Sequence, residues 1–264
     1  MDGLSRALAA IGAAPARVVP LHGGDLSEVA RVTLTDGRDL VAKSGPLVAR
    51  EARMLRAIRA AGARAPAVLG VTGQVLLIEA LDETPASPEG WADLGAGLAR
   101  LHASTGGTYG WPEDYAFGPQ PIPNSPLPDW PDFWARRRIL ATDPPPDLRG
   151  RLEALAARLP GLLPARPAPA LLHGDLWAGN ALFSGARAYF IDPAAYHGHA
   201  EVDLAMLTLF ATPPPDFWQA YGPLAPGWQA RRAAYQLWPA LVHLRLFGAG
   251  YRPMVAGLLA RLGA

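Results

Sequence analysis

The segment from Ala170 to Asp192 constrains the fold more than any other part of the chain. It begins with the apolar run ALL, continues into the polar stretch HGDLWAGN, and then reads NALF, SGA and RAYFID. This pattern predicts a short buried strand, a polar loop and a β-hairpin whose three-residue turn contains Gly185. Pairing across the turn should bring Asp192 back to within about two residues of Asn180. Asp175 lies in the loop beside both, so two carboxylates and an amide are expected to converge.

These polar groups have little structural use at the end of a buried strand, because each must find a partner or lower stability. An Asn five positions and a second Asp seventeen positions after the first Asp match the catalytic loop and metal-binding Asp of protein kinases. Phosphoryl transfer needs one carboxylate to deprotonate a hydroxyl, and further oxygen ligands to hold Mg²⁺ against the nucleotide phosphates. We therefore predict that Asp175 is catalytic and that Asn180 and Asp192 bind the metal. Either H-G-D or I-D alone would indicate only a turn or a strand end.

The N-terminal part of the chain has the pattern of strands around one helix. The runs RVVPL, EVARVTLT, DLVAK and VLLIEAL predict a small antiparallel sheet. Residues 47–61 predict a helix with Glu51 on its apolar face. A buried carboxylate needs a cation, and Lys43 at the end of the preceding strand is the expected partner. Such a Lys and Glu pair positions the α- and β-phosphates of ATP in kinases.

Two further stretches are candidates for nucleotide binding. Gly23 and Gly24 lie between two predicted strands, where a hairpin turn or a backbone cradle over phosphates is expected, and the cradle is favoured by the position of Lys43. Glu79, Ala80 and Leu81 join the two halves of the chain, and their backbone groups are candidates for binding an adenine edge.

After Leu81 the pattern changes to helices and proline-rich loops, which predicts domains at residues 1–81 and 82–264. Residues 112–131 contain seven prolines and precede several aromatic residues, so an ordered surface loop or lid is expected. The run Arg136 to Arg138 predicts a solvated helical face.

Other polar residues have structural interpretations. His173 is expected to support the polar loop through hydrogen bonds. His197 and His199 are two positions apart, but no third ligand with suitable spacing accompanies them, so a hydrogen-bonding or substrate role is preferred over a metal site. Asp203 begins the run DLAMLTLF, where it would be an N-cap or, in a kinase-like fold, a tether for the catalytic loop.

Composition narrows the classes of partner. The 24 basic residues against 23 acidic ones give a net charge of +1, which does not favour nucleic-acid or membrane binding and does favour a small-molecule partner. The chain has no cysteine, which excludes disulfides and thiolate chemistry and fits a cytoplasmic location. The N-terminal residues Leu4, Leu8 and Ile11 have helical spacing, so an amphipathic helix is expected in place of a secretory signal, and no membrane span is predicted.

Three longer stretches carry a family resemblance. HGDLWAGN, IDPAAYHGHAEVDLAMLTLF and GWQARRAAYQLWPALVHLRLFGAGY resemble the fructosamine kinases, also called ketosamine-3-kinases, of the aminoglycoside-phosphotransferase-like group. The resemblance covers nearly the whole chain. It implies an α+β, two-lobed protein-kinase-like fold, with an N-lobe antiparallel sheet and one main helix, and a mostly helical C-lobe that carries the catalytic β-hairpin.

The resemblance also implies an activity and an acceptor site. ATP with Mg²⁺ would phosphorylate the 3-hydroxyl of a small-molecule or protein-bound ketosamine, such as a fructosamine or ribulosamine adduct, in a deglycation role. Four residues match family motif positions near the sugar: Trp177, Tyr196, His199 and Glu201. A monomer or weak dimer is expected. The alternatives are an aminoglycoside or amino-alcohol kinase of the same fold, and a non-catalytic nucleotide-binding protein.

Overall fold

A five-stranded antiparallel sheet forms the N-terminal part of the computed structural model, which describes residues 3–21 and 28–264. The strands are β1 (Pro15–Leu21), β2 (Glu28–Leu34), β3 (Asp39–Ser44), β4 (Val68–Thr72) and β5 (Val75–Glu79), in the spatial order β1-β2-β3-β5-β4. Helix α1 (Gly3–Ala10) and helix α2 (Val48–Ala60) both contact β4 and β5. The predicted sheet with one main helix is confirmed.

Helix α2 forms where its apolar spacing predicts a helix. Its face of Val48, Leu55 and Ile58 is buried, and the carboxylate of Glu51 lies on that same face. The helix ends just before Gly62, whose φ of 81° is the left-handed conformation that glycine adopts without strain. The helix therefore carries a charged group into the interior beside β3.

The rest of the chain is mostly helical. Its longer helices are α3 (Pro88–Ala103), α5 (Pro146–Leu162), α6 (Glu201–Phe210), α8 (Trp228–Phe247) and α9 (Arg252–Arg261), with the shorter α4 (Trp130–Trp134) and α7 (Pro215–Tyr221). Its strands are β6 (Tyr115–Phe117), β7 (Gln120–Ile122), β8 (Ala170–Leu172), β9 (Ala181–Ser184), β10 (Arg187–Phe190) and β11 (Tyr196–Gly198). A π-helical turn covers Ala135–Ile139, and 3-10 turns cover Leu140–Thr142, Ala178–Asn180 and Ala249–Tyr251.

An apolar cluster joins the sheet to the helical part. Leu55 of α2 and Leu76 of β5 belong to the same buried cluster as Leu98 of α3 and Phe190 of β10. The boundary predicted after residue 81 falls between β5 and α3, and this cluster crosses it. The two parts thus share a core beneath the site described below. Within the described ranges, no helix combines the length and apolarity needed to span a membrane.

The hairpin of β9 and β10 forms at the predicted place, but its turn is one residue shorter than expected. Ser184 pairs with Arg187, so Gly185 and Ala186 alone make the turn. The positive φ of Gly185, 59°, is what such a tight connection requires. At the other end, the N–H of Ile191 donates to the carbonyl of Asn180 over 3.1 Å. This contact holds the end of β10 beside the polar loop.

The proline-rich segment is ordered and contains the two-stranded pair β6 and β7. The solvated face predicted for Arg136 to Arg138 is wrong for Arg138, whose accessible surface is 0%. Its guanidinium donates to the carbonyl of Pro123 and to Oδ1 of Asn124, and it lies against the ring of Tyr196. These acceptors and aromatic rings replace water as the surroundings of the charge.

Candidate active site

The loop between β8 and β9 holds Asp175 and Asn180 in contact. Nδ2 of Asn180 donates to the backbone carbonyl of Asp175 over 2.8 Å and to its Oδ2 over 3.0 Å. The 3-10 turn Ala178–Asn180 carries the amide back toward Asp175. These bonds engage the amide nitrogen, so the amide oxygen is the group of Asn180 that remains for a cation.

Asp192 follows β10 and has an unusual backbone. Its φ of 54° lies in the left-handed region, which is sparsely populated for residues other than glycine and is often found at functional sites. Oδ1 of its carboxylate lies 2.6 Å from Nζ of Lys43. The predicted convergence of Asp192 with the polar loop therefore extends to the N-terminal sheet.

Lys43 and Glu51 form the pair that the sequence predicts. Nζ of Lys43 lies 2.6 Å from Oε1 of Glu51, and both side chains are almost fully buried. Burial alone would lower the pKa of Lys43, but the adjacent carboxylates of Glu51 and Asp192 outweigh it and raise that pKa. The lysine thus stays charged. It is also the only lysine of the chain, since the other 23 of its 24 basic residues are arginines.

Asp203 fixes the start of the polar loop. Its fully buried carboxylate accepts hydrogen bonds from the backbone N–H of His173 at 2.7 Å and of Gly174 at 2.9 Å. Oδ2 also lies 3.2 Å from Nε2 of His102. Asp203 is the third residue of α6 and does not cap it, because the N-cap position is Ala200. The expected tether is the interpretation that fits these contacts.

His173 supports the same loop. Its Nε2 lies 2.9 Å from the carbonyl oxygen of Ile191, and the N–H of Asp175 donates to its Nδ1. Burial lowers the pKa of His173, so the ring is neutral and carries its proton on Nε2. The predicted supporting role agrees with these bonds.

The surroundings of Asp175 suit a proton acceptor. Burial raises the pKa of its carboxyl to about 7, while the hydrogen bond from Asn180 opposes that rise. A general base works best when its pKa is near the ambient pH. The same carboxylate is half-buried and lines a cavity, so a substrate hydroxyl can reach it.

One cavity of about 430 Å³ contains the predicted catalytic and metal-binding groups. Asp175, Asn180 and Asp192 line it together with Lys43 and Glu51. Amide and carboxylate oxygens are the ligands that Mg²⁺ prefers, so the donor set of Asn180 and Asp192 fits that ion. The geometry therefore brings together the candidate base, the candidate divalent-cation ligands and the candidate phosphate-binding amine.

The four predicted acceptor residues divide into two groups. Trp177 is exposed and lines the cavity beside Asp175. Tyr196, His199 and Glu201 are not among the residues that line it. They form a polar layer deeper in the fold, in which Tyr196 contacts Arg138, His199 Nδ1 lies 2.7 Å from the Tyr235 hydroxyl and Glu201 pairs with Arg231.

The predicted nucleotide-binding backbone is only partly described. Gly23 and Gly24 lie outside the described residues. Glu79 ends β5, and its Oε2 accepts a hydrogen bond from the N–H of Ala67 over 3.0 Å. Ala80 and Leu81 follow the strand and are partly exposed. The adenine contact remains a prediction.

Several cavity residues were not identified from the sequence. Tyr115 and Phe117 come from the β6 and β7 pair, whereas Trp238 and Phe247 come from α8. Aromatic residues in a proline-rich segment are a signal for an ordered wall, but nothing local indicates that α8 lies opposite. Composition contains a further signal for the site, because Lys43 is the only lysine in the sequence.

Comparison with known proteins gives a consistent result. The fructosamine kinase family model matches residues 15–263. A probable ketoamine kinase of Thermus thermophilus is 38% identical over 250 residues, which cover 88% of this chain and 89% of that protein. A crystal structure of a candidate fructosamine-3-kinase from Thermobifida fusca has a TM-score of 0.89 and 34% identity, with 97% of each chain covered.

A more distant likeness concerns the fold alone. An amicoumacin kinase, solved in complex with AMP-PNP, Ca²⁺ and Ami, has a TM-score of 0.64 and 16% identity, and the match covers 94% of this chain and 88% of that one. The two-lobed kinase-like architecture is thus shared beyond the sequence relatives.

Proposed function

Because the chain belongs to the fructosamine kinase family, we propose that it transfers the terminal phosphoryl group of ATP to the 3-hydroxyl of a ketosamine. A ketosamine is a sugar joined to an amine through an Amadori linkage. The observation that carries the proposal is the convergence of Asp175, Asn180 and Asp192 with the buried Lys43 and Glu51 pair in one cavity. Family membership supports phosphotransferase activity, and these residues provide the groups that phosphoryl transfer requires.

Each residue has a distinct task in the proposed reaction. Asp175 accepts the proton of the attacking hydroxyl. At the same time the hydroxyl oxygen bonds to the terminal phosphorus of ATP, and the bond between that phosphorus and the leaving ADP oxygen breaks. Lys43, oriented by Glu51, holds the nucleotide phosphates. Asn180 and Asp192 would hold Mg²⁺, which when bound neutralises charge on the phosphate oxygens. The Asp203 carboxylate keeps the backbone of the Asp175 loop in place.

The product would explain a deglycation role. A phosphate ester at the 3-position of a ketosamine is a good leaving group once the neighbouring ketone enolises. Elimination of the phosphate leaves an imine between the sugar and the amine, and hydrolysis of that imine by water frees the amine. We propose that the enzyme removes sugar adducts from amines by this route.

A panel of acceptors tests the proposal. Purified enzyme is given Mg²⁺-ATP with fructosamine, ribulosamine, an aminoglycoside or choline, ADP release is followed, and the phosphorylated position is assigned by ³¹P and ¹H NMR. Phosphorylation of a ketosamine at O3 is expected. Turnover of only the aminoglycoside or choline would contradict the proposal and favour the alternative kinase class. An Asp175→Asn enzyme purified in parallel controls for a contaminating kinase.

A further inference from the structure

The cavity continues beyond the catalytic groups along helix α8. Trp238, Val242, Leu246 and Phe247 of that helix line it together with the group that surrounds Asp175. The first and the last of these helix residues are nine positions apart, which corresponds to about 14 Å along the axis. This wall is longer than a sugar hydroxyl and the phosphoryl group that it receives. The remaining length can accommodate the amine-bearing part of the ketosamine.

The far part of the cavity is apolar and accessible. Phe247 is 52% exposed and Trp177 is 43% exposed, although most aromatic side chains of the described chain are buried. Phe117 and Pro119 add apolar surface from the proline-rich segment. Exposed aromatic side chains that face a cleft mark the binding of an apolar group, because burying them there removes their surface from water.

The described lining residues on the α8 side include one arginine and no carboxylate. Among the described lining residues, the acidic groups are Glu51, Asp175 and Asp192, and all three belong to the catalytic group. Arg245 lines the α8 side, and its side chain is 46% exposed. Its Nη1 lies 3.4 Å from Oδ2 of Asp143, which is long for a hydrogen bond. Asp143 offsets part of the charge, but the guanidinium has further N–H donors and is exposed, so it is accessible to a second carboxylate.

We propose that the acceptor is the ketosamine of a free amino acid with a large apolar side chain. The inference rests on the proposed kinase function and specifies its substrate. The apolar side chain packs between Phe247 and Phe117, and the amino-acid carboxylate pairs with Arg245. Neither feature suits an aminoglycoside, which offers several cations and little apolar surface. A glycated lysine inside a protein would lack the free carboxylate.

Three synthetic fructose adducts test the inference. Two carry the sugar on the α-amine of phenylalanine or of glycine, and the third carries it on the amine of phenethylamine, which has the aromatic ring but lacks the carboxylate. The wild-type enzyme should show kcat/KM about tenfold higher for the phenylalanine adduct than for the glycine adduct. Phe247→Ala should reduce that ratio about tenfold, and Phe247→Leu should reduce it less. Arg245→Gln should reduce the preference for phenylalanine over phenethylamine about tenfold.

Leu69→Ala is the control. Leu69 is also an exposed large apolar residue, on β4, and it is not among the residues that line the cavity. Its replacement should leave both ratios at the wild-type values. Equal kcat/KM for the phenylalanine and glycine adducts in the wild-type enzyme, or ratios that do not change in Phe247→Ala, would overturn the inference and leave the kinase function intact. Phosphorylation of no ketosamine at all would overturn both.

Discussion

The ammonium of Lys43 lies 2.6 Å from a carboxylate oxygen of Asp192, although 149 positions separate the two residues. Lys43 belongs to β3 of the N-terminal sheet, and Asp192 follows the hairpin of β9 and β10, which comes directly after the Asp175 loop. The contact therefore joins the two parts of the chain directly across the cavity. Because the same ammonium also contacts Glu51, one cation balances two carboxylates. Its removal should affect both the chemistry and the fold.

Lys43→Met should lower kcat/KM for ATP at least about a hundredfold, because the amine that holds the phosphates is lost. It should also lower the free energy of unfolding by about 3 kcal/mol, since Glu51 stays buried without a cation. Adding Glu51→Gln to this variant should restore part of the stability and none of the activity. Urea denaturation and steady-state kinetics measure the two effects. Wild-type kcat/KM in the Lys43→Met enzyme would exclude Lys43 from the proposed mechanism.

Asp175→Asn should reduce kcat about a hundredfold or more while the Kd for nucleotide changes less than about twofold. The amide cannot accept the hydroxyl proton, but it keeps the shape of the side chain. Asp216→Asn on the exposed side of α7 is the matched control and should behave as wild type. Calorimetric titration with a nonhydrolysable nucleotide separates binding from turnover. Retained turnover in Asp175→Asn would exclude its role as the base.

Asp203→Asn should lower kcat more than it changes KM, because Asp203 positions the loop and lies outside the cavity lining. Its two oxygens accept from the N–H groups of His173 and Gly174, and an amide places N–H donors against one of them. An unsatisfied buried N–H costs about 1–3 kcal/mol, so the free energy of unfolding should fall by that amount. A lower free energy of unfolding together with an unchanged kcat would indicate a structural role alone.

The convergence of the candidate catalytic side chains could be predicted because most of them are local in sequence. Asp175, Asn180 and Asp192 belong to one strand, loop and hairpin, whose alternating pattern and glycine turn determine how they fold back. Lys43 was paired with Glu51 because a carboxylate on an apolar helix face needs a cation. Short-range pattern and the cost of burying charge were sufficient for both.

The acceptor side could not be predicted in the same way. Whether Tyr196 faces the cavity depends on Arg138, which fills the space against its ring from a distant segment. The wall formed by Phe117 and Phe247 requires β6 and α8 to pack together, and no local periodicity encodes that contact. Family motifs pointed to His199 and Glu201 without indicating their depth in the fold.

Arg138→Ala should lower the free energy of unfolding by about 3 kcal/mol, since it leaves the carbonyl of Pro123 and Oδ1 of Asn124 without their donor and opens a space among aromatic rings. Arg136→Ala is the control from the same run, because Arg136 is exposed and its ion pair with Asp132 spans 3.8 Å. Its effect should remain within about 0.5 kcal/mol. Equal effects of the two changes in urea denaturation would contradict the structural difference between these arginines.

The protein should lose stability as the pH falls below about 6.5, and His199 should contribute to this loss. Burial lowers the pKa of His199 to about 4, with the nearby Glu201 opposing the shift and Arg231 adding to it. The Tyr235 hydroxyl accepts from Nε1 of Trp130 and lies 2.7 Å from Nδ1 of His199, so a neutral ring with an unprotonated Nδ1 can accept the hydroxyl proton. The folded state therefore resists a proton that the unfolded chain binds, and acidification favours unfolding.

Between about pH 7.5 and pH 5.5, this single group should lower the free energy of unfolding by about 1 kcal/mol. His199→Gln keeps a partner for the Tyr235 hydroxyl but removes the titrating group, so its stability should fall less over the same interval. The two proteins differ at this one position, so the difference between their slopes reports the effect of His199. Urea denaturation at several pH values measures those slopes. Parallel slopes would show that His199 titrates alike in the folded and unfolded chain.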